Sequence, residues 1–259
     1  MNARSLLIAA SVVLVFGAQP AHAWPADLSQ SIARDALKLI PRSLAELFRA
    51  HEKEIFGEAS TASSPALPLV YADLAKGKFG ESTTDALAKE MADRVKDLHG
   101  ADFRAAVIAL GATYRLVVDL SDPGVSEGLG FDAKGRAIRR EFYLYVAAHR
   151  DKIPLVIVQP DAMRMKLEAV PSYLSAVVAK TSSQATLLRE EGVEGGRVTP
   201  YTQIDFRSPV FAVASTSYSR SVSAVAATWI AIWRSAGGDM NRQKVPQLIS
   251  PKPSAFSQE

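Results

Sequence analysis

The chain has 259 residues, 48% of them hydrophobic and 22% charged, with 15 glycines and 14 prolines. That composition excludes a collagen-like chain, a disordered polyampholyte and a multi-span membrane protein, and the length suffices to bury a core without covalent staples. No cysteine is present, which removes disulfides, iron–sulfur clusters, Cys-ligated zinc and thiol nucleophiles. The net charge of +3 comes from 30 basic and 27 acidic residues that are interspersed, so the chain carries no specific nucleic-acid signature.

Residues 1–23 read as a signal peptide outside the fold. Arg4 supplies the positive n-region, Leu6 to Phe16 the apolar h-region, and Ala21-His22-Ala23 a small-x-small cleavage site. The apolar stretch is too short to span roughly 30 Å of hydrocarbon as a helix. An uncleaved anchor is the competing reading, and a lipoprotein is excluded because no cysteine is available. Val222 to Trp233 is apolar but short and bracketed by Arg220 and Arg234, so no transmembrane segment is expected after the signal peptide. The mature protein is expected to begin at Trp24 and to be exported, periplasmic or secreted.

Leu28 to Ala50 carries Ile32, Leu37, Ile40, Leu44, Leu47 and Phe48 at helical spacing, with a break or fresh start at Pro41. Residues 57–70 are small and Pro-rich, which predicts a surface loop. Thr83 to Leu98 reads as an amphipathic helix opened by Ser82-Thr83-Thr84, with Leu87, Met91 and Val95 as its stripe. Ala101 to Leu120 is apolar nearly all round, which predicts a central buried helix ended by the turn chemistry of Asp122-Pro123-Gly124. Further helices are expected at Ala137 to His149, Asp161 to Ala179 and Ser217 to Ala236. The Gly-, Thr- and Pro-rich stretch Glu191 to Ser208 predicts an extended excursion, and residues 237–259 a polar, loose tail. No repeat, heptad or alternating strand series interrupts this pattern. The expected fold class is all-α, a multi-helix single domain over residues 24–236.

Standard catalytic motifs are mostly absent. The chain has no phosphate-binding Gly-x-x-x-x-Gly-Lys loop, no dinucleotide-binding Gly-x-Gly-x-x-Gly after a strand and no Gly-x-Ser-x-Gly elbow. Three histidines follow residue 23, namely His51, His99 and His149, and none sits at metal-ligand spacing from another. His51 and His99 fall near expected helix ends, where an imidazolium meets the helix dipole.

Three segments in order resemble zinc-dependent phospholipase C proteins and the single-strand-specific nucleases of the same superfamily. They are the opening Trp24-Pro25-Ala26-Asp27-Leu28-Ser29-Gln30-Ser31-Ile32-Ala33, followed by Ala36-Leu37 and Ile40-Pro41, the stretch Ala109-Leu110-Gly111 through Tyr114-Arg115-Leu116-Val117-Val118-Asp119-Leu120-Ser121-Asp122-Pro123, and Ala227-Thr228-Trp229-Ile230-Ala231-Ile232-Trp233-Arg234-Ser235-Ala236-Gly237. The resemblance implies an exported all-helical protein whose mature N-terminal Trp binds zinc through its amine and carbonyl. It also implies a central helix bearing a His and an Asp four residues apart.

Carried over residue by residue, the resemblance keeps only Trp24 and Asp119. The early His falls on Ser29, the His of the His-x-x-x-Asp pair on Arg115, and the His after the proline on Val125. A later His-x-x-x-Glu pair falls on Arg139 and Tyr143, and Asp73 aligns near a further carboxylate without its flanking His. Zinc needs about four donors per ion, so no metal centre and no zinc hydrolase chemistry is expected. The candidate binding positions are therefore Trp24, Arg115, Asp119, Arg139 and Tyr143. Arg115 and Asp119 would either pair with each other on one helical face or, with Arg139, leave a cationic pocket for an anionic, phosphate-bearing small molecule or lipid head group.

Two functional classes follow. The first is a non-catalytic relative, an exported helical binding or envelope-interaction protein with no cofactor. The second is an active phosphoric-ester hydrolase with an altered zinc site, for which His51, His99 and His149 would have to converge on Trp24 and Asp119. An unrelated helical envelope protein is the third reading.

Overall fold

A computed structural model describes residues 24–57, 64, 66–74, 76, 79–126, 129–130, 132–194, 197–198 and 205–241. The signal-peptide expectation for residues 1–23 lies outside them. The helices are α1 (Ala26–Ala36), α2 (Arg42–Ala50), α3 (Glu52–Phe56), α4 (Leu67–Leu74), α5 (Glu81–Leu98), α6 (Phe103–Ala112), α7 (Tyr114–Leu120), α8 (Ala133–His149), α9 (Val170–Glu191) and α10 (Pro209–Ser235). A two-residue antiparallel pair, β1 (Val193–Glu194) with β2 (Arg197–Val198), joins α9 to the segment before α10. The protein is thus an all-helical, multi-helix single domain. Among the described residues, no helix is long and apolar enough to cross a membrane.

Local chemistry sets several of the helix starts. Pro25 and Pro41 precede α1 and α2 in extended conformation, so the break expected at Pro41 separates two helices. Asp102, Asp132 and Ser208 cap α6, α8 and α10, accepting from the backbone N–H groups of Ala105, Gly135 and Phe211 at 2.9, 2.7 and 3.1 Å.

The centre of the molecule is α10. Every residue from Ser217 to Trp233 is buried, because α10 packs against α1, α5, α7, α8, α9 and the 3-10 turn Pro160–Arg164. A helix apolar or small all round belongs in the middle of a bundle. Its serines serve the surrounding backbone. Ser219 accepts from the Val156 N–H at 3.2 Å, and Ser223, one turn on, from the Val158 N–H at 2.9 Å. Ser121 donates to Ser221 at 2.8 Å, which joins α10 to the end of α7. Trp229 stacks edge-on against Phe48, with centroids 4.8 Å apart, and donates from Nε1 to the Leu110 carbonyl at 3.0 Å.

Several boundaries differ from the sequence expectation for physical reasons. The central buried helix expected at Ala101 to Leu120 is two helices parted at Thr113, whose hydroxyl donates to the Leu110 carbonyl at 2.7 Å, and Phe103 at its start is 44% exposed. The expected loop over 57–70 ends early, since Leu67 begins α4. The helix expected from Asp161 starts instead at Val170, with Pro171 in its first turn, and runs on to Glu191 along Leu174, Val177, Val178, Ala185 and Leu188. Residues 237–241 are docked. Gly237 takes φ +72 past the end of α10, the Trp233 indole donates to the Asp239 carbonyl at 3.0 Å, and the Arg42 N–H donates to the Asn241 carbonyl at 3.0 Å. Residues 242–259 of the expected tail lie outside the described residues.

Candidate functional site

Three helices and the segment before α1 bring the candidate positions together. Trp24 lies just ahead of α1 and is 1% exposed. Its ring packs on Phe142 and Tyr143 of α8, with centroids 5.7 and 5.6 Å away, and its carbonyl accepts from the Ser29 hydroxyl at 3.1 Å. Asp119 near the end of α7 accepts a short hydrogen bond from the Tyr71 hydroxyl of α4. Asp122, in the turn after α7, is fully buried. It accepts from the Tyr143 hydroxyl at 2.5 Å and from the Gly124 N–H at 2.6 Å. Arg139 lies one turn before Tyr143 on α8, so the two share a face, and a Cβ at Gly124 would meet both side chains within 3.0 Å.

The electrostatics of this cluster are those of charges withdrawn from water. Burial pushes the Asp122 carboxyl up to about 7, with the Asp119 charge adding to the effect. The Tyr143 and Gly124 hydrogen bonds and the Arg139 guanidinium act the other way. Burial followed by the Asp122 charge raises the Tyr143 phenol well above its ordinary value, and burial followed by the Asp119 charge does the same to Tyr71. Both tyrosines are therefore neutral donors at physiological pH. Arg139 is 8% exposed, and its Nε and Nη2 have no hydrogen-bond partner. Its charge is set against Asp122.

Of the five candidate positions, Trp24, Arg139 and Tyr143 join Asp122 in one cluster, and Asp119 lies beside it through its field on Asp122. Arg115 turns toward another wall. It donates to the Gly57 carbonyl at 2.9 Å, lies 5.7 Å over the Tyr114 ring, and lines a hollow of about 30 Å³ with Ser64, Glu90, Arg94 and Thr113. Val125, at the third histidine position, is buried beside Asp122. The sequence reading missed Tyr71 and Asp122. Tyr71 lies two residues before Asp73, the residue considered in its place, and Asp122 was read only as turn chemistry.

Asp73, the other carboxylate considered, is a structural cap. It accepts from the Thr83 hydroxyl and the Gly80 N–H, both at 2.6 Å, and from Lys76 at 3.0 Å. These partners, the Thr83 bond foremost, draw its carboxyl down to about 2. Thr83 therefore does not open α5; the helix begins at Glu81, with Gly80 as its N-cap. The Asp73→Ala variant should lose about 2 kcal/mol, since the buried Thr83 hydroxyl and the Gly80 N–H lose their carboxylate acceptor. Urea unfolding at pH 7 measures this, and a loss below about 0.5 kcal/mol would show that the cap is dispensable.

The histidines occupy helix ends. His51 separates α2 from α3, His99 follows α5, and His149 ends α8 with its ring 4.8 Å from that of Tyr145. Among the described residues, no group of three or more His, Asp or Glu is placed to hold a metal ion. No family model, curated protein or solved structure matches the chain.

Proposed function

We propose that this chain is an exported, non-catalytic relative of the zinc-dependent phospholipases C, a helical binding or interaction protein in which tyrosine–carboxylate hydrogen bonds have replaced metal ligands. One observation supports this reading most directly. Trp24, Arg139 and Tyr143, which the family resemblance assigns to ligand positions, come from two segments far apart in the chain and meet beside one buried carboxyl, Asp122. Chance similarity over three short segments gives no reason for that convergence. The cluster sets two carboxylates and one guanidinium among two neutral phenols; both phenols donate to carboxylates, while Arg139 Nε and Nη2 and Trp24 Nε1 have no hydrogen-bond partner. Such a network specifies how α4, α7 and α8 meet, while its net contribution to stability is small. It offers no surplus positive charge, so an anionic partner would be met elsewhere on the molecule.

Elemental analysis of protein purified without tag or chelator, with N-terminal sequencing on the same sample, tests the reading. The expected result is an N-terminus at Trp24, well under one zinc per chain, and no hydrolysis of a chromogenic phosphodiester when zinc is added. Two or three zinc ions per chain with turnover of the ester would overturn it in favour of a hydrolase with an altered site.

A further inference from the structure

We infer that Arg220, Tyr173 and Gln184 form a binding site for a small monovalent anion, of chloride size, between α9 and α10. Arg220 lies in the middle of α10 and is 7% exposed. Its Nη1 donates to Gln184 Oε1 of α9 at 2.5 Å, while its Nε is buried with no hydrogen-bond partner. The Tyr173 hydroxyl, also on α9, is likewise buried with no partner. The Arg220 charge acts on the Tyr173 phenol, so two buried donors are left unmatched within reach of that field.

Among the described residues, no acidic side chain pairs with that cation. The α10 sequence contains no acidic residue, and the acids of α9 are Glu190 and Glu191 at its far end. On neighbouring helices, Glu90, Asp93 and Asp97 of α5 face Arg94 or Lys89, Asp119 and Asp122 are held by tyrosines, and Glu141 of α8 pairs with Arg140. Among the described residues Arg220 forms no salt bridge. Tyr173 cannot serve as the counter-ion, because burial pushes its phenol up to about 12, against the opposing pull of Arg220, and leaves it a neutral donor at pH 7. Burial also lowers the Arg220 guanidinium from its ordinary value, but guanidinium stays protonated in proteins.

Other arginines of this fold are treated differently. Arg234, also on α10, donates to the carbonyls of Met163 and Met165 at 2.8 and 3.1 Å, and Arg189 takes Asp132 at 2.8 Å. Arg220 alone of these three is given a single neutral acceptor. A water molecule would occupy the open donors without offsetting the charge, and an uncompensated buried cation is costly. An anion does both, with Arg220 Nε–H and Tyr173 O–H as donors.

Thermal unfolding of the whole protein at fixed ionic strength, with chloride exchanged for gluconate, tests the site. Raising chloride from about 1 mM to about 200 mM should raise Tm saturably by about 3 °C, with bromide acting alike. A formate series distinguishes an inorganic ion from the carboxylate of an organic ligand; halide stabilisation at least equal to formate is expected, and stabilisation by formate alone would overturn the halide assignment. Arg220→Met should abolish the chloride response. Tyr173→Phe, which keeps the ring and cannot fail for loss of packing, should raise the half-saturating chloride about tenfold. A wild type indifferent to chloride, or a Tyr173→Phe variant responding as wild type does, overturns the site. In crystals grown with bromide, an anomalous peak beside Arg220 Nε is expected, and bromide bound only elsewhere would refute it.

Discussion

The Trp229→Ala variant should lose about 4 kcal/mol of unfolding free energy, the largest single effect expected in this molecule. Trp229 is fully buried in the middle of α10, with its ring edge-on to Phe48 and its indole N–H on the Leu110 carbonyl. Truncation opens a cavity between α2, α6 and α10 and removes one of the donors to the Leu110 carbonyl, which keeps that of Thr113. Trp229→Phe separates the two contributions. It keeps most of the ring volume and loses the hydrogen bond, so its cost should fall to about 1–3 kcal/mol. Urea unfolding of both variants measures the difference. A loss below about 1.5 kcal/mol for the alanine variant would show that the helices collapse around the site and that α10 is not the rigid centre described.

A second large effect is a pH dependence carried by Asp122. Its carboxyl is held at about 7 in the folded protein, chiefly by burial, against about 3.9 in an unfolded chain. The protonated form is therefore favoured by folding. Its contribution to stability is fully present below about pH 4 and is lost as pH rises to about 7, by up to about 4 kcal/mol. Asp122→Asn keeps an acceptor for the Gly124 N–H and cannot ionise. Relative to wild type, the variant should gain stability steadily between about pH 4 and pH 7 and hold that gain above. Guanidinium unfolding of the pair at four pH values measures it, and parallel profiles would sink the argument.

The helical class was legible because apolar residues recur at helical spacing through almost every segment, and Pro41 marked a boundary as proline does. What failed were decisions that depend on neighbours. Thr83 looked like a capping residue by its position before an amphipathic stripe, but Asp73, ten residues earlier, claims its hydroxyl. Ala101 to Leu120 looked central by composition, yet the middle belongs to α10, whose serines lower its apparent hydropathy while their hydroxyls bond to nearby backbone. At the candidate site, local spacing placed Arg139 and Tyr143 on one face of α8. It could not reveal that Tyr71, 48 residues before Asp119, would reach that carboxylate. Long-range pairing of polar groups leaves no periodic trace in a single sequence.

The position of α10 in the chain also fixes the order in which the protein can assemble. The helix that fills the bundle follows every other described helix in the chain, and residues 239 and 241 close back onto Ser43 and Arg42. At roughly 5–20 residues per second of synthesis, α1 waits about ten to forty seconds before its packing partner exists. Through that interval the helices already made lack the element that covers their inner faces, so the described core closes only once α10 is complete.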